Sequence, residues 1–190
     1  MHWATQTARK CLERDEDEYV IETGTSISGV PHLGNASDVI RGEAVRKALE
    51  LEDAKARIIW VADDSDPFRS IPKGMESLED YLGHPVKDIP DPKGCHKNFV
   101  EHYGNPFIND LREFGLEPEV ISGTSLYRDG KLLTEIRRAL EERDKIIEIL
   151  NRFRDNPLPP DYIPWTPICR GCGKISSTNP ISVEGGEVSY

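Results

Sequence analysis

Long apolar stretches are missing from this 190-residue chain. No run approaches the ~20 consecutive apolar residues that a membrane-spanning helix needs. The first residues also lack the apolar core of a secretion signal, and residues 13–18 are all charged. These absences predict a cytoplasmic protein without a membrane partner.

Cysteine is also scarce, with four in all: Cys11, Cys95, Cys169 and Cys172. In the cytoplasm we expect free thiols or metal ligands rather than disulfides. Cys169 and Cys172 form a Cys-x-x-Cys pair, and the glycines at 171 and 173 suit the turn of a zinc knuckle. A closed structural zinc site needs four ligands. We therefore expect this pair to hold Zn²⁺ only if further ligands come from beyond Tyr190 or from a partner. The alternatives are a redox pair or a chance spacing.

Positive charge is in deficit, because 24 Lys and Arg face 34 Asp and Glu and give a formal net charge of −10. That balance argues against a protein that coats nucleic acid non-specifically. A local patch remains possible, and its candidates are Lys131, Arg137, Arg138, Arg143, Lys145, Arg152 and Arg154. The pattern favours the simpler alternative, a solvated helix face paired with neighbouring glutamates.

Apolar periodicity predicts strands at residues 18–22, 57–62 and 119–122 and helices at 2–12, 35–51, 96–114 and 132–153. Residues 104–106, Gly-Asn-Pro, should break or kink the third helix. Residues 65–94 read mostly as loop, with a short helix near 77–82. Alternating strands and helices predict an α/β fold with a Rossmann-type parallel sheet.

The segment 156–160, Asn-Pro-Leu-Pro-Pro, reads as a stiff linker. We expect residues 1–155 to form the Rossmann-type region. Residues 156–190 would form the linker, the start of a small zinc-knuckle-like insertion and short strands.

The most informative segment is Val30-Pro31-His32-Leu33-Gly34-Asn35. It lies between a predicted strand with a Gly/Ser/Thr-rich turn at 23–29 and the start of a predicted helix. Backbone N–H groups at a helix start, with the positive end of its dipole, bind phosphate. A histidine there adds a directed donor, and a glycine allows the backbone to approach a purine. The alternative is an ordinary strand-to-helix turn.

His32-Leu33-Gly34-Asn35 resembles the His-Ile-Gly-His motif of class I aminoacyl-tRNA synthetases, in the His-x-Gly-Asn form of the class I lysyl-tRNA synthetases. Other segments of the chain resemble that family in order, at residues 2–4, 63–69, 91–96, 101–103, 135–137 and 143–145. The resemblance implies a lysine–tRNA ligase, which activates lysine with ATP and Mg²⁺ and transfers it to tRNA(Lys).

The resemblance also implies roles for individual residues. His32, Gly34, Asn35 and Gly29 would bind ATP, and His32 and Asn35 would stabilise charge on its phosphates during lysine activation. Gly24 and Ser26 would lie at the lysine-binding edge of the pocket. The family commonly has Thr-Pro-Ser-Gly where this chain has Ser-Ile-Ser-Gly at 26–29, and a polar loop that satisfies its own backbone is the alternative.

Asp63 and Asp64 follow the second predicted strand, at the edge where open α/β sheets bind ligands. Such a carboxylate could hold the lysine ammonium or a ribose hydroxyl, and we favour Asp64 for lysine binding. A turn or cap carboxylate is the alternative. The spacing of Cys95, His96 and His102 matches no common zinc pattern, so we assign Cys95 no catalytic role. Residues 174–177, Lys-Ile-Ser-Ser, lie in the wrong place to be the family's second, Lys-Met-Ser-Lys-Ser motif.

Members of this family are much longer than 190 residues. We therefore expect an amino-terminal fragment, a split subunit or the product of an interrupted gene, and a complementary carboxyl-terminal half as its partner. The alternative is a stand-alone nucleotide-binding relic or paralogue that no longer charges tRNA.

Overall fold

The computed structural model describes residues 1–190. Its helices are α1 (Trp3–Leu12), α2 (Leu33–Glu50), α3 (Phe99–Glu113), α4 (Gly123–Arg128), α5 (Leu133–Glu141) and α6 (Arg143–Asn151). Its strands are β1 (Tyr19–Thr25), β2 (Ala56–Ala62), β3 (Glu119–Ser122), β4 (Ser182–Glu184) and β5 (Glu187–Ser189). Two 3₁₀ turns, Glu76–Tyr81 and Val86–Asp88, lie in the long connection after β2. No helix combines the length and the hydropathy that crossing a membrane requires.

The first three strands form a parallel sheet in the order β1-β2-β3. The central strand β2 carries the continuous apolar run that is typical of a strand covered on both faces, and its Ile58, Trp60 and Ala62 are buried. The α/β class and the parallel sheet predicted from the sequence are confirmed, and both are consistent with a Rossmann-type domain.

Two apolar clusters cover the sheet. The larger one joins β2 to α3 and to the connection after β2, with Trp60 and Phe107 in contact at 5.8 Å between ring centres. The smaller one joins α1, α2 and β1 through Ala8, Tyr19 and Leu49. The sheet edge that carries the carboxyl ends of β1 and β2 is thereby held from both sides.

The first strand is longer than the sequence predicted. It continues to Thr25, so residues 23–25 belong to β1 and not to the polar turn. Parallel pairing with β2 extends to Thr25↔Ala62 and supplies the backbone bonds that a turn would have supplied. The following helix begins at Leu33 rather than at residue 35, because His32 caps it.

The predicted break at residues 104–106 is wrong, because α3 runs continuously through Pro106. The proline lies on the exposed side of the helix. The opposite side buries Tyr103, Phe107 and Ile108. The packing of this buried face outweighs the single backbone bond that proline removes.

The single helix predicted at 132–153 is also wrong. It is divided into α5 and α6 at Glu142, whose backbone is outside the helical region. Residues 141–145 are all charged, and only Leu140 of the two helices is buried, so no packed face holds that turn together.

Residues 156–190 lie against the rest of the molecule. The Ile175 N–H donates to the carbonyl of Gly83 at 2.7 Å, and Ile163 is buried. The short strands expected near the end of the chain form an antiparallel hairpin, β4–β5. Its turn uses Gly185 and Gly186 at φ values of 59° and 83°, where glycine is favoured.

Candidate functional site

His32 is the N-cap of α2, and its side chain is held by the helix that it begins. Its Nδ1 accepts a hydrogen bond from the Gly34 N–H at 3.0 Å, while the His32 N–H donates to Oδ1 of Asn35 at 2.9 Å. These two bonds form a reciprocal capping box. Because Nδ1 accepts, the neutral ring carries its proton on Nε2. The exposed His32 therefore presents an N–H donor to solvent at a helix N-terminus.

Gly34 is required by the position of that ring. A Cβ at Gly34 would lie 2.7 Å from Cε1 and 2.9 Å from Nδ1 of His32. Any other residue would therefore displace the imidazole or the start of the helix. The motif spaces histidine and glycine so that the ring can lie over the first turn.

Asn35 connects the helix to the end of the first strand. Its Nδ2 donates to Oγ1 of Thr25, and its Oδ1 is occupied by the His32 N–H. One hydrogen of the Asn35 amide is left over for a ligand. Gly29 lies in the loop just before this motif, with no atom within 4 Å of the position that its Cβ would take.

Two of the residues expected to bind lysine have structural partners. A Cβ on Gly24 would lie 2.9 Å from the carbonyl oxygen of Val61, so glycine lets β1 approach β2. The Gly24 N–H donates to Oδ2 of Asp38 at 3.2 Å. Ser26 is exposed, and its hydroxyl donates to Oδ2 of Asp66 at 2.6 Å. Ser26 therefore connects the loop after β1 to the loop after β2.

Asp64 is fully buried, and both of its carboxylate oxygens are in use. Oδ2 accepts from the Ser122 hydroxyl and Oδ1 from the Thr124 N–H, each at 2.6 Å. Nζ of Lys87 lies 3.6 Å from Oδ2. The carboxylate thus joins the end of β2 to the end of β3 and the start of α4.

Asp63 has the opposite environment, because it is exposed and forms no ion pair. Desolvation of its carboxyl by the surrounding protein raises its pKa, and the nearby carboxylates of Asp66, Asp64 and Glu22 raise it further. An acidic edge, consisting of Glu22, Asp63 and Asp66, therefore lies beside Ser26. Sequence reasoning ranked Asp63 below Asp64 because burial cannot be read from two adjacent aspartates.

A cleft of about 970 Å³ adjoins this acidic edge, with Asp63 and Asp66 in its wall. The other walls come from α4, from α5 and from the segment after residue 160. They include three arginines and several aromatic rings, among them Arg128, Arg137, Arg170, Tyr127, Tyr162 and Trp165. His32 and Gly34 lie outside its walls, so the cleft and the capped helix are neighbouring parts of one sheet edge.

Much of the basic patch considered from the sequence is paired with acids. Arg143, Lys145 and Arg152 form ion pairs with Asp144, Glu142 and Glu148. Arg137 instead faces the cleft. The solvated face with paired charges therefore describes α6, while Arg137 of α5 lines the cleft.

Cys169 and Cys172 lie in a tight turn. The Gly173 N–H donates to the Cys169 carbonyl at 2.9 Å, and Gly173 has φ = 74°. The Ser177 hydroxyl, the Lys174 N–H and Cys169 lower the pKa of the Cys172 thiol. No group of three or more potential metal ligands contains either cysteine. A zinc knuckle at this pair therefore stays a prediction that needs ligands from elsewhere.

The structure brings together four residues to which sequence spacing gave no role: Asp91, Cys95, His96 and His102. Asp91 comes four residues before Cys95, and His102 lies a turn inside α3. The sequence could have indicated this cluster if the start of α3 had been assigned to Phe99, because His102 then lies one turn into the helix, beside the preceding turn.

The parallel sheet and the helices that cover it are consistent with a Rossmann-type domain of a class I aminoacyl-tRNA synthetase. The family described as "tRNA synthetases class I (K)" matches residues 1–190, and the chain belongs to that family. The membership expected from the His-x-Gly-Asn motif is confirmed.

Similar proteins include three archaeal lysine–tRNA ligases. The one from Methanosphaera stadtmanae is 40% identical over 191 residues, covering 100% of this chain and 36% of the relative. The one from Methanocaldococcus jannaschii is 37% identical, covering 93% of this chain and 34% of the relative. The one from Archaeoglobus fulgidus is 37% identical, covering 100% of this chain and 38% of the relative. The chain thus spans about a third of the length of these relatives.

Proposed function

We propose that this chain is the ATP-binding first part of a cytoplasmic lysine–tRNA ligase. The observation that carries the proposal is the orientation of the His32 ring, fixed by the Gly34 N–H so that Nε2–H points outward at the start of α2. Since α2 also offers its positive dipole end there, the motif suits the phosphates of ATP.

The proposed reaction is attack of the lysine carboxylate on ATP, with release of pyrophosphate. His32 donates to a phosphate oxygen as negative charge develops on it, and Asn35 offers its remaining amide hydrogen. Gly29 leaves the backbone open to the nucleotide, and Gly34 leaves room for the His32 ring over the helix start. Mg²⁺ enters as part of the ATP complex and neutralises phosphate charge. These groups act by position and electrostatics, and no covalent protein intermediate is needed.

Lysine recognition is proposed at the acidic edge beside Ser26. Asp63 and Asp66 have no basic partner within ion-pair distance, so they are free to attract an ammonium group. Gly24 and Asp64 contribute indirectly, because Gly24 brings β1 close to β2 and Asp64 fixes the ends of β2 and β3. The lysine side chain would thus contact Asp63 rather than the buried Asp64.

The cleft supports tRNA(Lys) as the third substrate, after ATP and lysine. Arginines beside aromatic rings suit the single-stranded end of a nucleic acid, since bases stack on rings while arginines contact phosphates. The chain has a third of the length of its relatives, so a complementary carboxyl-terminal half is part of the proposal.

The test is lysine-dependent exchange of pyrophosphate into ATP, run with the chain joined to, or mixed with, the complementary part of a relative. Exchange with lysine and with no other amino acid is expected. Calorimetry with ATP on the chain alone separates the alternative. ATP binding without exchange under any complementation would identify a nucleotide-binding relic. Exchange with a different amino acid and none with lysine would contradict the proposed specificity.

A further inference from the structure

Thr25, the last residue of β1, contacts both halves of the candidate site. It is buried, and its backbone is paired with Ala62 of β2. Its Oγ1 accepts a hydrogen bond from Nδ2 of Asn35, and its carbonyl accepts one from the Asp63 N–H at 3.0 Å. Thr25 therefore lies between the amide proposed for phosphate binding and the residue whose carboxylate is proposed for lysine binding.

The direction of the bond between Asn35 and Thr25 follows from the capping box. The His32 N–H can only donate, so the Asn35 atom that faces it at 2.9 Å must be Oδ1. The amide nitrogen therefore faces Thr25, whose hydroxyl oxygen has to accept. These two contacts, one at each end, fix the plane of the amide and leave one hydrogen on Nδ2. The position of the Thr25 hydroxyl thus sets the direction of that hydrogen.

The Thr25 side chain is suited to hold the amide because it is rigid. A β-branched side chain has few accessible χ1 values. Parallel pairing of residues 19–25 with residues 56–62 fixes the backbone that carries it. Ser26, one residue further on, is exposed and bonds to Asp66 instead. The acceptor at the end of the strand is therefore held more firmly than the hydroxyl in the loop that follows.

We propose that Thr25 is a positioning residue for lysine adenylation, an inference that rests on the proposed function. Its hydroxyl holds the Asn35 amide so that the spare hydrogen is directed to a phosphate oxygen of ATP. Its carbonyl holds the Asp63 backbone at a set distance from that amide. Because adenylation needs the lysine carboxylate and the phosphate in line, a fixed separation of their binding groups raises the rate more than the affinity. Thr25 acts through these neighbours and touches neither substrate.

The first test is pyrophosphate exchange by the complemented enzyme carrying Thr25→Val, which keeps the shape of the side chain and removes the hydroxyl. The kcat should fall by about 10-fold, which is less than the roughly 100-fold loss caused by removing a donor to developing charge. The KM values for ATP and lysine should change little, because the groups that contact the substrates remain. Thr25→Ser, which keeps the acceptor, should restore most of the rate.

Thr23→Val is the matched control. Thr23 is also buried in β1, but its hydroxyl has a different partner, the Ile59 carbonyl at 2.8 Å. Like Thr25→Val it should lower the free energy of unfolding, but it should leave kcat unchanged. In an Asn35→Ala background, Thr25→Val should have no further effect on kcat. Full activity of Thr25→Val, equal losses in the valine and serine variants, or an undiminished loss in the Asn35→Ala background would overturn the proposal.

Nuclear magnetic resonance of the Asn35 side-chain amide tests the same contact in the 190-residue chain alone, without catalysis. The signal is assigned by its loss in Asn35→Ala. In the parent and in Thr25→Ser, its hydrogens should exchange with solvent more slowly than those of the exposed Asn156. In Thr25→Val the two rates should be similar. Absence of lysine-dependent pyrophosphate exchange in the parent would contradict the proposed function, whereas an Asn35 amide unaffected by Thr25→Val would overturn the role of Thr25.

Discussion

Two histidines in this chain cap helices in the same way, but only one has an expected role in catalysis. Nδ1 of His2 accepts from the Ala4 N–H at 3.3 Å at the start of α1, as Nδ1 of His32 does from Gly34 at the start of α2. A side-chain cap is worth about 1 kcal/mol of stability. His2 therefore serves as a reference residue, because replacing it removes a helix cap without removing an expected catalytic group.

His32→Ala, in a complemented enzyme, should lower the rate of lysine adenylation by about 100-fold while changing lysine affinity little. One donor to developing phosphate charge is worth about 3 kcal/mol. His2→Ala should cost similar folding stability and leave adenylation unchanged. Pyrophosphate exchange and urea unfolding on both variants make the comparison, and equal turnover in the two would reduce His32 to a structural cap.

Gly34→Ala should reproduce the loss caused by His32→Ala, because its methyl group would displace the imidazole. In a His32→Ala background the same change should have little further effect, since the ring is gone. The double-mutant cycle measures this coupling. Additive losses would mean that Gly34 acts on ATP independently of the ring.

Asp63→Asn should stabilise the fold at neutral pH and raise the KM for lysine. Folding raises the Asp63 pKa above its ordinary value of 3.8, so the charged form is disfavoured in the folded state. The cost is absent below pH 3.8, where both states are protonated, and grows as the pH rises through the raised pKa. Urea unfolding across that pH range, with lysine kinetics at neutral pH, measures both effects. A variant equal to the parent at neutral pH in both would contradict them.

At the scale of elements, two helical glycines have different surroundings. A Cβ on Gly42 of α2 would lie 2.6 Å from Cγ2 of Thr23, so glycine lets the helix lie close on β1. A Cβ on Gly104 of α3 would have its nearest neighbour, Cδ1 of Ile27, at 4.0 Å. The position of α2, and with it the position of His32, thus depends on Gly42.

Gly42→Ala should lower the free energy of unfolding by about 1–3 kcal/mol, because overpacking forces α2 away from the sheet. Gly104→Ala should raise it by up to about 1 kcal/mol, because alanine favours the helix and fits. Urea unfolding of the two variants measures both changes in the free energy of unfolding. Stabilisation by both changes would show that the sheet accommodates the extra methyl.

Elements with one dominant local signal could be predicted from the sequence. The apolar run of β2 and the His-x-Gly-Asn helix start are of this kind. Elements whose structure depends on contacts between residues far apart in the sequence could not be predicted in this way. The course of α3 through Pro106 depends on a buried face, the division at Glu142 on the lack of one, and the burial of Asp64 on Ser122 and Thr124. Predicting the cluster around Asp91 would have required the exact start of α3, because that start places His102 over the preceding turn.

At the scale of the whole molecule, the sequence predicts two regions separated by residues 156–160. The second region contacts the first through Ile175 and Gly83. Its cysteine turn contributes two thiols to any zinc site, and the remaining ligands would have to come from elsewhere.

The chain alone should hold zinc loosely at Cys169 and Cys172, whereas a longer protein containing it should hold the ion tightly. In the longer protein Cys172→Ser should release that ion and unfold the region after Pro160, while the parallel sheet stays folded. Metal content and hydrogen exchange on both proteins measure this. Retention of the zinc by Cys172→Ser would leave the pair as a chance spacing.

The open side of β1 has a consequence for solubility. β1 hydrogen-bonds to a neighbouring strand on one side only, and Val20 is 45% exposed. An edge of this kind is a template for other extended chains, and here Asp38 occupies only the N–H of Gly24. Concentrated solutions of the chain alone should therefore self-associate along β1. A strand that completes the sheet on that side would act as a chaperone for the chain, by covering the edge before a second copy does.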